Sequence, residues 1–250
     1  MPILFPPTEV ITSALDGTRY IVFQGPDLIS NELRKTGGFE TWLRPFFEKL
    51  LRNQLPGTIL DVGCNIGTFV LPLARQYPLH RFECFDAQRL ALYCLGGSIA
   101  LNSLSNINTY HLALSDRPGE IEAQIPDYPS HNNIGSYSFD AEFNAFHRRS
   151  PQGVAVERIP VATLDQGEYT DIRLIKIDVE GMELQVLQGA RELLRRNHYP
   201  PLVFETWKFA WFAERREALI AWVEALGYEV FHWGCDSFAQ HPARGEVIRF

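Results

Sequence analysis

From about residue 58 onward, the sequence alternates short apolar segments with longer segments of helical periodicity. Short apolar segments between turns are typical of buried strands, and the patterned segments are typical of helices that cover a sheet. Strands that alternate with helices are joined by right-handed crossovers, which favours a mostly parallel sheet. We therefore expect an α/β fold in which helices cover both faces of that sheet.

The pattern also assigns individual elements. Strands are predicted at 20–23, 58–62, 81–85, 109–114, 120–125, 174–177, 202–204 and 229–232, and helices at 39–51, 69–76, 90–101, 182–196 and 215–226. Residues 1–250 are interpreted as one domain, on which residues 1–55 pack as an N-terminal helical extension. Residues 126–153 lack periodicity and contain three prolines, so we predict a lid or an acceptor-binding loop there.

Composition restricts the class of protein. The chain is 46% hydrophobic and 21% charged, as expected for a folded protein. A formal net charge of -7 disfavours nucleic acid as a partner, because proteins that bind nucleic acid carry basic surfaces. No apolar segment has the length of a membrane span, residues 1–10 do not resemble a signal peptide, and the four cysteines show no metal-binding spacing. We expect a cytoplasmic protein without membrane contact and make no prediction of its oligomeric state.

A glycine-containing loop follows the strand predicted at 58–62, with the sequence DVGCNIG at 61–67. Gly63 and Gly67 allow a tight turn and close approach of a ligand, and Asn65 tolerates a left-handed backbone. The next strand ends at Asp86, nineteen residues beyond Gly67. At this spacing a carboxylate reaches the hydroxyl groups of a ribose. The pattern predicts a nucleoside-bearing cofactor.

The type of cofactor follows from what the loop lacks. A dinucleotide site favours G-x-G-x-x-G, whereas here the spacing is G-x-x-x-G and Asp61 ends the strand. An acid is unfavourable beside a pyrophosphate and favourable beside the ammonium and sulfonium groups of S-adenosylmethionine. A dinucleotide-dependent oxidoreductase and a structural turn without ligand remain as alternatives.

A second acidic cluster follows the strand predicted at 174–177. Asp178 and Glu180 are expected at the same edge of the sheet as Asp61 and Asp86. There Asp178 or Glu180 is predicted to accept the proton of the substrate or to orient its hydroxyl group. Two alternatives stay open: Asp178 as the N-cap of the next helix, or a divalent-cation site formed by Asp178, Glu180 and Glu205. His131, in the loop at 126–153, is a reserve candidate for the base.

These segments together resemble the FkbM family of S-adenosylmethionine-dependent methyltransferases. The resemblance rests on DVGCNIG at 61–67, FD at 85–86, ALSD at 113–116 and KIDVEGME at 176–183, the last being the most specific. It implies the Rossmann-like class I methyltransferase fold. This sequence departs from the family at Cys64, where alanine is usual, and at Asp86-Ala87, where Glu-Pro is common.

The resemblance also implies roles for individual residues. Gly63, Asn65 and Gly67 would approach the methionine part of the cofactor, and Asp86 would bind the ribose. Leu114 and Ser115 would flank the adenine, Asp178 would border both cofactor and acceptor, and Glu40 would match a glutamate upstream of the first motif. The implied reaction is methyl transfer to an oxygen or nitrogen nucleophile, and we expect O-methylation of a small molecule such as a natural product or a sugar. No metal ligand is assigned. An adenosylmethionine-binding protein without catalysis is the alternative.

Overall fold

The computed structural model describes residues 5–52, 54–125, 128, 133–135, 138–146 and 155–245. Its strands are β1 (Thr8–Thr12), β2 (Arg19–Phe23), β3 (Thr58–Val62), β4 (Arg81–Asp86), β5 (Ile107–His111), β6 (Ala113–Leu114), β7 (Gly119–Ile125), β8 (Ala155–Ala162), β9 (Ile172–Ile177), β10 (Leu202–Glu205), β11 (Glu229–Trp233) and β12 (Asp236–Gln240). Its α-helices are α1 (Leu28–Thr36), α2 (Arg44–Leu51), α3 (Val70–Gln76), α4 (Arg89–Leu101), α5 (Ala141–Phe146), α6 (Glu183–Gln188), α7 (Arg191–Arg196) and α8 (Ala213–Ala225).

Seven of these strands form the central sheet, in the order β11-β12-β10-β9-β3-β4-β5. The pairs from β10 to β5 are parallel, whereas β12 runs antiparallel to both β10 and β11. The chain moves outward from β3 to β5 and then returns to the other side of β3 with β9. The mostly parallel sheet expected from the sequence is confirmed, and its topological switch point lies between β3 and β9.

Two hydrophobic cores lie on opposite faces of this sheet. Ile59 and Phe82 pack with α2, α3 and α4 on one face, whereas Leu60 and Phe85 pack with α6, α7 and α8 on the other. Every residue of β3 is buried, as expected for a strand covered on both sides. Within the described residues, no helix is both long and apolar enough to cross a membrane.

The N-terminal residues form more than the helical extension expected from the sequence. β1 and β2 make an antiparallel hairpin, and the backbone N–H of Ile21 donates to the Ser98 hydroxyl group on α4 at 2.8 Å. The helix expected at 39–51 begins only at Arg44, because Glu40 has a left-handed backbone (φ 49°) and a 3-10 turn follows it. Pro45 then occupies the first turn of α2, where its missing N–H costs little.

Two other predicted elements are divided in the structure. The helix expected at 182–196 breaks at Gly189, where an added Cβ would lie 2.0 Å from the Ser115 carbonyl oxygen. There the Gly189 carbonyl accepts from the N–H of Asp165, whose Oδ1 accepts from the N–H of Leu193 in the first turn of α7. The strand expected at 109–114 becomes β5 and β6, because β6 leaves the central sheet to pair with β8.

Five elements were not predicted from the sequence: β1, α1, α5, β8 and β12. β8 pairs antiparallel with β7 and parallel with β6, forming a separate three-stranded sheet. This small sheet brings Leu114, Ile121 and Val161 to one wall of the largest enclosed space near the switch point.

Candidate active site

A line of acidic residues marks the carboxyl edge of the central sheet. Continuing the strand registers by one residue places Asp86 beside Gly63, Gly63 beside Asp178, and Asp178 beside Glu205. The register of β10 with β12 then pairs Glu205 with Asp236. The sheet therefore carries four carboxylates across five adjacent strands, at the edge where ligands of α/β proteins bind.

A cavity of about 310 Å³ lies on this edge. Eight of the residues predicted from the sequence line it: Glu40, Gly63, Asn65, Asp86, Leu114, Ser115, Asp178 and Glu180. We call the part at Gly63, Asn65, Asp86, Leu114 and Ser115 the cofactor end, and the part at Glu40, Asp178, Glu180 and Glu205 the acid end. A smaller cavity of about 70 Å³ adjoins it and shares Glu40, Gly63, Asn65 and Asp178.

Gly63 is required by the backbone of the neighbouring strand. Its φ is 81°, and an added Cβ would lie 1.7 Å from the carbonyl oxygen of Asp178. Asn65 has the left-handed backbone expected from the sequence, with φ 49°. Gly67 does not line the described cavities; an added Cβ there would meet Leu95 at 2.5 Å, so its role is close packing between helices.

Asp86 fixes the conformation of the glycine-containing loop. Its Oδ2 accepts from the N–H of Asn65 and its Oδ1 from the N–H of Gln88, each at 2.7 Å. Burial raises the pKa of Asp86 to about 6, although these two hydrogen bonds oppose the shift. A carboxylate oxygen accepts more than one hydrogen bond, so Asp86 retains capacity for the hydroxyl groups of a ligand.

Asp61 lies beneath the cavities rather than on their walls. It is fully buried, and neither carboxylate oxygen has a hydrogen-bond partner. Burial raises its pKa to about 7, while the positive charge of Lys176 opposes this shift. Asp61 and Lys176 are register partners on β3 and β9. Asp61 therefore lies where it would not contact a ligand in these cavities directly.

Lys176 is a functional candidate that the sequence analysis overlooked. It is buried, and its Nζ lies 2.9 Å from Oδ2 of Asp178. Its pKa is raised by Asp178, Asp61 and Glu40, which together outweigh the opposing effect of burial. A lysine inside the otherwise apolar strand LIKI was the signal, because a buried ammonium group requires anionic partners.

The other carboxyl groups near Lys176 have raised proton affinity. Glu40 lines both cavities, so part of its side chain is accessible. Partial desolvation of its carboxyl group and the charge of Asp178 raise its pKa to about 7. Burial and Asp178 raise the pKa of Asp236 to about 6. Burial, followed by Asp178, Glu180 and Glu183, raises the pKa of Glu205 well above its usual range, and Oε2 of Glu205 has no hydrogen-bond partner.

Glu183 holds the loop that carries Asp178 and Glu180. Its buried Oε1 accepts from the N–H groups of Val179 and Gly181, each at 3.1 Å. The helix after the loop begins at Glu183, and Met182, not Asp178, occupies its N-cap position. The N-cap alternative for Asp178 is therefore wrong.

Segments outside the central sheet cover the cavity. Oδ1 of Asp27, at the start of α1, accepts from the N–H of Ile134 at 2.9 Å, and Ser138 donates to the Glu180 carbonyl at 2.6 Å. Asp140 forms an ion pair of 2.6 Å with Arg215 on α8. His131, the reserve base, lies outside the described residues.

The aromatic residues after Glu205 pack together instead of lining the main cavity. Trp207, Trp211 and Phe212 form a cluster with Phe143 of α5, and the rings of Phe143 and Trp207 stack at 4.8 Å. These aromatic side chains therefore form a small core of their own.

The donor groups fit S-adenosylmethionine better than a metal. Among the described residues, no three His, Cys, Asp or Glu side chains are placed to hold one ion, so the site of Asp178, Glu180 and Glu205 considered above is not supported. In the described part of the chain, Lys176 is the one buried cation next to the acid end, and it neutralises fewer charges than the four carboxylates there can carry. Unpartnered carboxylate oxygens beside such a cavity favour a cationic ligand.

Known proteins share this sequence pattern. A family model described as the methyltransferase FkbM domain matches residues 61–230. Methyltransferase sdnD of Sordaria araneosa is 28% identical over 216 residues, which cover 74% of this chain and 80% of that protein. The 2-O-methyltransferase NoeI of Sinorhizobium fredii is 25% identical, over 56% of this chain and 60% of that protein. Ribosomal RNA small subunit methyltransferase C of Pseudoalteromonas translucida is 30% identical, but over 35% of this chain and 27% of its own length.

Solved structures of methyltransferases are similar to this chain at low sequence identity. A putative methyltransferase from Streptococcus mutans in complex with SAH is 9% identical, with a TM-score of 0.42, and the alignment covers 79% of this chain and 97% of that one. The protein has the class I methyltransferase fold, and its cofactor is S-adenosylmethionine. The FkbM model covers more than half of the sequence, from the cofactor loop to β11. The chain therefore belongs to the FkbM family of S-adenosylmethionine-dependent methyltransferases.

Proposed function

We propose that this methyltransferase acts on a hydroxyl group of an uncharged or cationic small molecule, such as a natural product or a sugar. The observation that carries the proposal is the acid end, where Glu40, Asp178, Glu180 and Glu205 line one cavity. These carboxylates repel a phosphorylated or carboxylated acceptor and favour groups that donate hydrogen bonds. The printed name of NoeI, a 2-O-methyltransferase, supports oxygen as the acceptor atom.

Within this proposal, the two ends of the cavity have separate tasks. Asp86 would bind the ribose, Leu114 and Ser115 would flank the adenine, and Gly63 and Asn65 would approach the methionine part. When bound, S-adenosylmethionine supplies a methyl group on a positively charged sulfur. Asp178, whose Oδ2 is paired with Lys176, orients the acceptor and stabilises that charge. Catalysis then consists chiefly of alignment, because the methyl group is already reactive.

Nucleic acid is disfavoured as a substrate, although some relatives are named ribosomal RNA methyltransferases. The relative from Pseudoalteromonas translucida matches only 35% of this chain. The chain has a formal net charge of -7, and its cavity edge carries additional carboxylates. Approach of a phosphate backbone to that edge is electrostatically unfavourable.

A panel of acceptors tests the proposal. Purified protein, S-adenosylmethionine and matched neutral, amine-bearing and carboxylate-bearing polyhydroxyl compounds are incubated, with ribosomal RNA as a further arm, and S-adenosylhomocysteine is measured by mass spectrometry. We expect transfer to neutral or amine-bearing compounds and at least tenfold less to the carboxylate-bearing ones. Transfer to RNA, or preference for the anionic compounds, contradicts the proposal.

Two alternatives have distinct outcomes. A catalytically inactive adenosylmethionine-binding protein would bind S-adenosylhomocysteine in calorimetry and methylate nothing on the panel. A dinucleotide-dependent enzyme would bind NAD in competition with S-adenosylhomocysteine.

A further inference from the structure

The carboxyl group of Glu205 differs from the other acids at the edge of the sheet. Asp86 accepts two backbone hydrogen bonds, and Oδ2 of Asp178 is paired with the ammonium group of Lys176. Glu205 lines the same cavity, next to Asp178 in register, and its Oε2 has no partner. Glu205 therefore has a carboxylate oxygen that no group of the protein occupies.

An aromatic residue holds this carboxyl group in place. The indole group of Trp207 lies near enough to Glu205 to lower its pKa, and its ring packs between the stacked ring of Phe143 and that of Phe212, 4.9 Å away. Gly181 has a φ of 100°, and a Cβ added to it would lie 3.3 Å from the same indole. The Asp178–Glu183 loop therefore packs closely against Trp207. The aromatic cluster is thus a rigid support for Glu205, comparable to the third group that orients a base in known active sites.

We propose that Glu205 is the residue that accepts the proton of the acceptor hydroxyl group, with Trp207 as its positioning residue. This rests on the proposed function and deepens it by separating the base from Asp178. In the step, the acceptor oxygen bonds to the methyl carbon, and the carbon–sulfur bond breaks with its electron pair remaining on sulfur. The hydroxyl proton passes to the carboxylate of Glu205, so that an ether, a thioether and a neutral carboxyl group result.

The surroundings of Glu205 give it the proton affinity that this task needs. Asp178, Glu180 and Glu183 raise its pKa in addition to burial, Asp236 faces it from β12, and the indole group of Trp207 lowers it. Activity requires the ionised base, so kcat is expected to rise with pH through the pKa of Glu205. The surrounding cluster also contains Glu40 and Lys176, so the assignment needs variants of Glu205 itself.

The experiment compares Glu205→Gln with the wild type and with Glu229→Gln, a matched change of an exposed glutamate on β11. For Glu205→Gln we expect kcat to fall 100-fold or more, KM and the dissociation constant of S-adenosylhomocysteine to stay within about threefold, and the rise of kcat with pH to disappear. Glu205→Asp should restore part of the activity together with a pH-dependent limb. A fall in kcat below fivefold, or an unchanged pH limb, overturns the assignment.

Trp207→Phe keeps an aromatic ring in the cluster and removes the indole N–H, and therefore tests the positioning role even if Glu205→Gln folds poorly. Its pH limb should move to higher pH, because the indole group of Trp207 lowers the pKa of Glu205. An unchanged limb contradicts the positioning role.

A measurement without turnover separates the inference from the proposed function. The ligand is an S-adenosylmethionine analogue with an amine in place of the methyl sulfonium. Calorimetry in buffers of different ionisation enthalpy counts the protons that are released when it binds. A cation near Glu205 lowers its pKa, so the wild type should release more protons than Glu205→Gln. Equal release overturns the placement of Glu205 beside the reacting centre. A wild type that methylates no hydroxyl compound overturns only the proposed function.

Discussion

The cofactor end and the acid end of the cavity both depend on carboxylates, but they use them differently. At the cofactor end, both oxygens of Asp86 accept backbone N–H groups and so determine the shape of the loop at Asn65. At the acid end, Oε2 of Glu205 has no partner, and Glu40 and Glu205 have raised pKa values. Both ends therefore contain carboxyl groups of raised pKa. At Asp86 two backbone hydrogen bonds oppose the rise and fix the loop, whereas Oε2 of Glu205 is left for a ligand or a proton.

The two ends are joined at the switch point by Gly63 and Lys176. Gly63 packs directly on the Asp178 carbonyl, and Lys176 is the cation between Asp61, below the cofactor loop, and Asp178. Substitution of Gly63 or Lys176 should therefore affect both ends of the cavity, whereas substitution of Asp86 should affect only the cofactor end.

The largest effect is expected for Lys176→Met. Its loss leaves Asp61, Asp178 and Glu40 without their cation, which should lower the free energy of unfolding by about 3–5 kcal/mol at pH 8. Acids such as Asp61, whose pKa of about 7 in the folded protein is above the unfolded value, favour folding at low pH and lose this contribution as pH rises through 7. The variant should therefore recover much of its stability at pH 5.5.

Urea titrations at pH 5.5 and 8 measure this prediction. Lys35→Met, a change of an exposed lysine at the end of α1, should stay within about 0.5 kcal/mol of the wild type at both values. Equal losses for Lys176→Met at the two pH values would show that electrostatics do not explain its effect.

Gly63→Ala should have the next largest effect. The new Cβ would overlap the Asp178 carbonyl oxygen, and the backbone would keep a φ that alanine avoids, so stability should fall by about 2–4 kcal/mol. Cofactor binding should be lost with it. Gly96→Ala is the matched control, because an added Cβ there meets nothing within 4 Å; it should be neutral or slightly stabilising. Normal cofactor binding by Gly63→Ala would show that the contact of Gly63 with Asp178 does not link the two ends.

Asp86→Ala should have a smaller effect that is confined to the cofactor end. We expect S-adenosylhomocysteine to bind about 1.5–3 kcal/mol more weakly, the scale of a hydrogen bond to a charged group. Isothermal titration calorimetry checks this, with Glu122→Ala on β7 as an exposed control. Unchanged affinity in Asp86→Ala would separate this residue from the ribose.

Much of this arrangement could be predicted from local sequence. β3 is buried on both faces, so its run of apolar residues identified it as a strand. The spacing from Gly67 to Asp86 indicated a ribose site. The break at Gly189 and the pairing of β6 with β8 depend on contacts between distant segments, which periodicity does not record. From the sequence, Glu205 was considered only as a metal ligand. Sequence does not reveal that Oε2 of Glu205 lacks a hydrogen-bond partner or that Trp207 lies beside it, because both depend on the folded chain.

The division between the two ends is tested most directly by a crystal structure with S-adenosylhomocysteine. We expect the ribose hydroxyl groups within hydrogen-bond distance of Asp86, the adenine against Leu114, and the sulfur facing the acid end between Asp178 and Glu205. An adenine at the acid end, or a sulfur turned away from Glu205, would contradict this division.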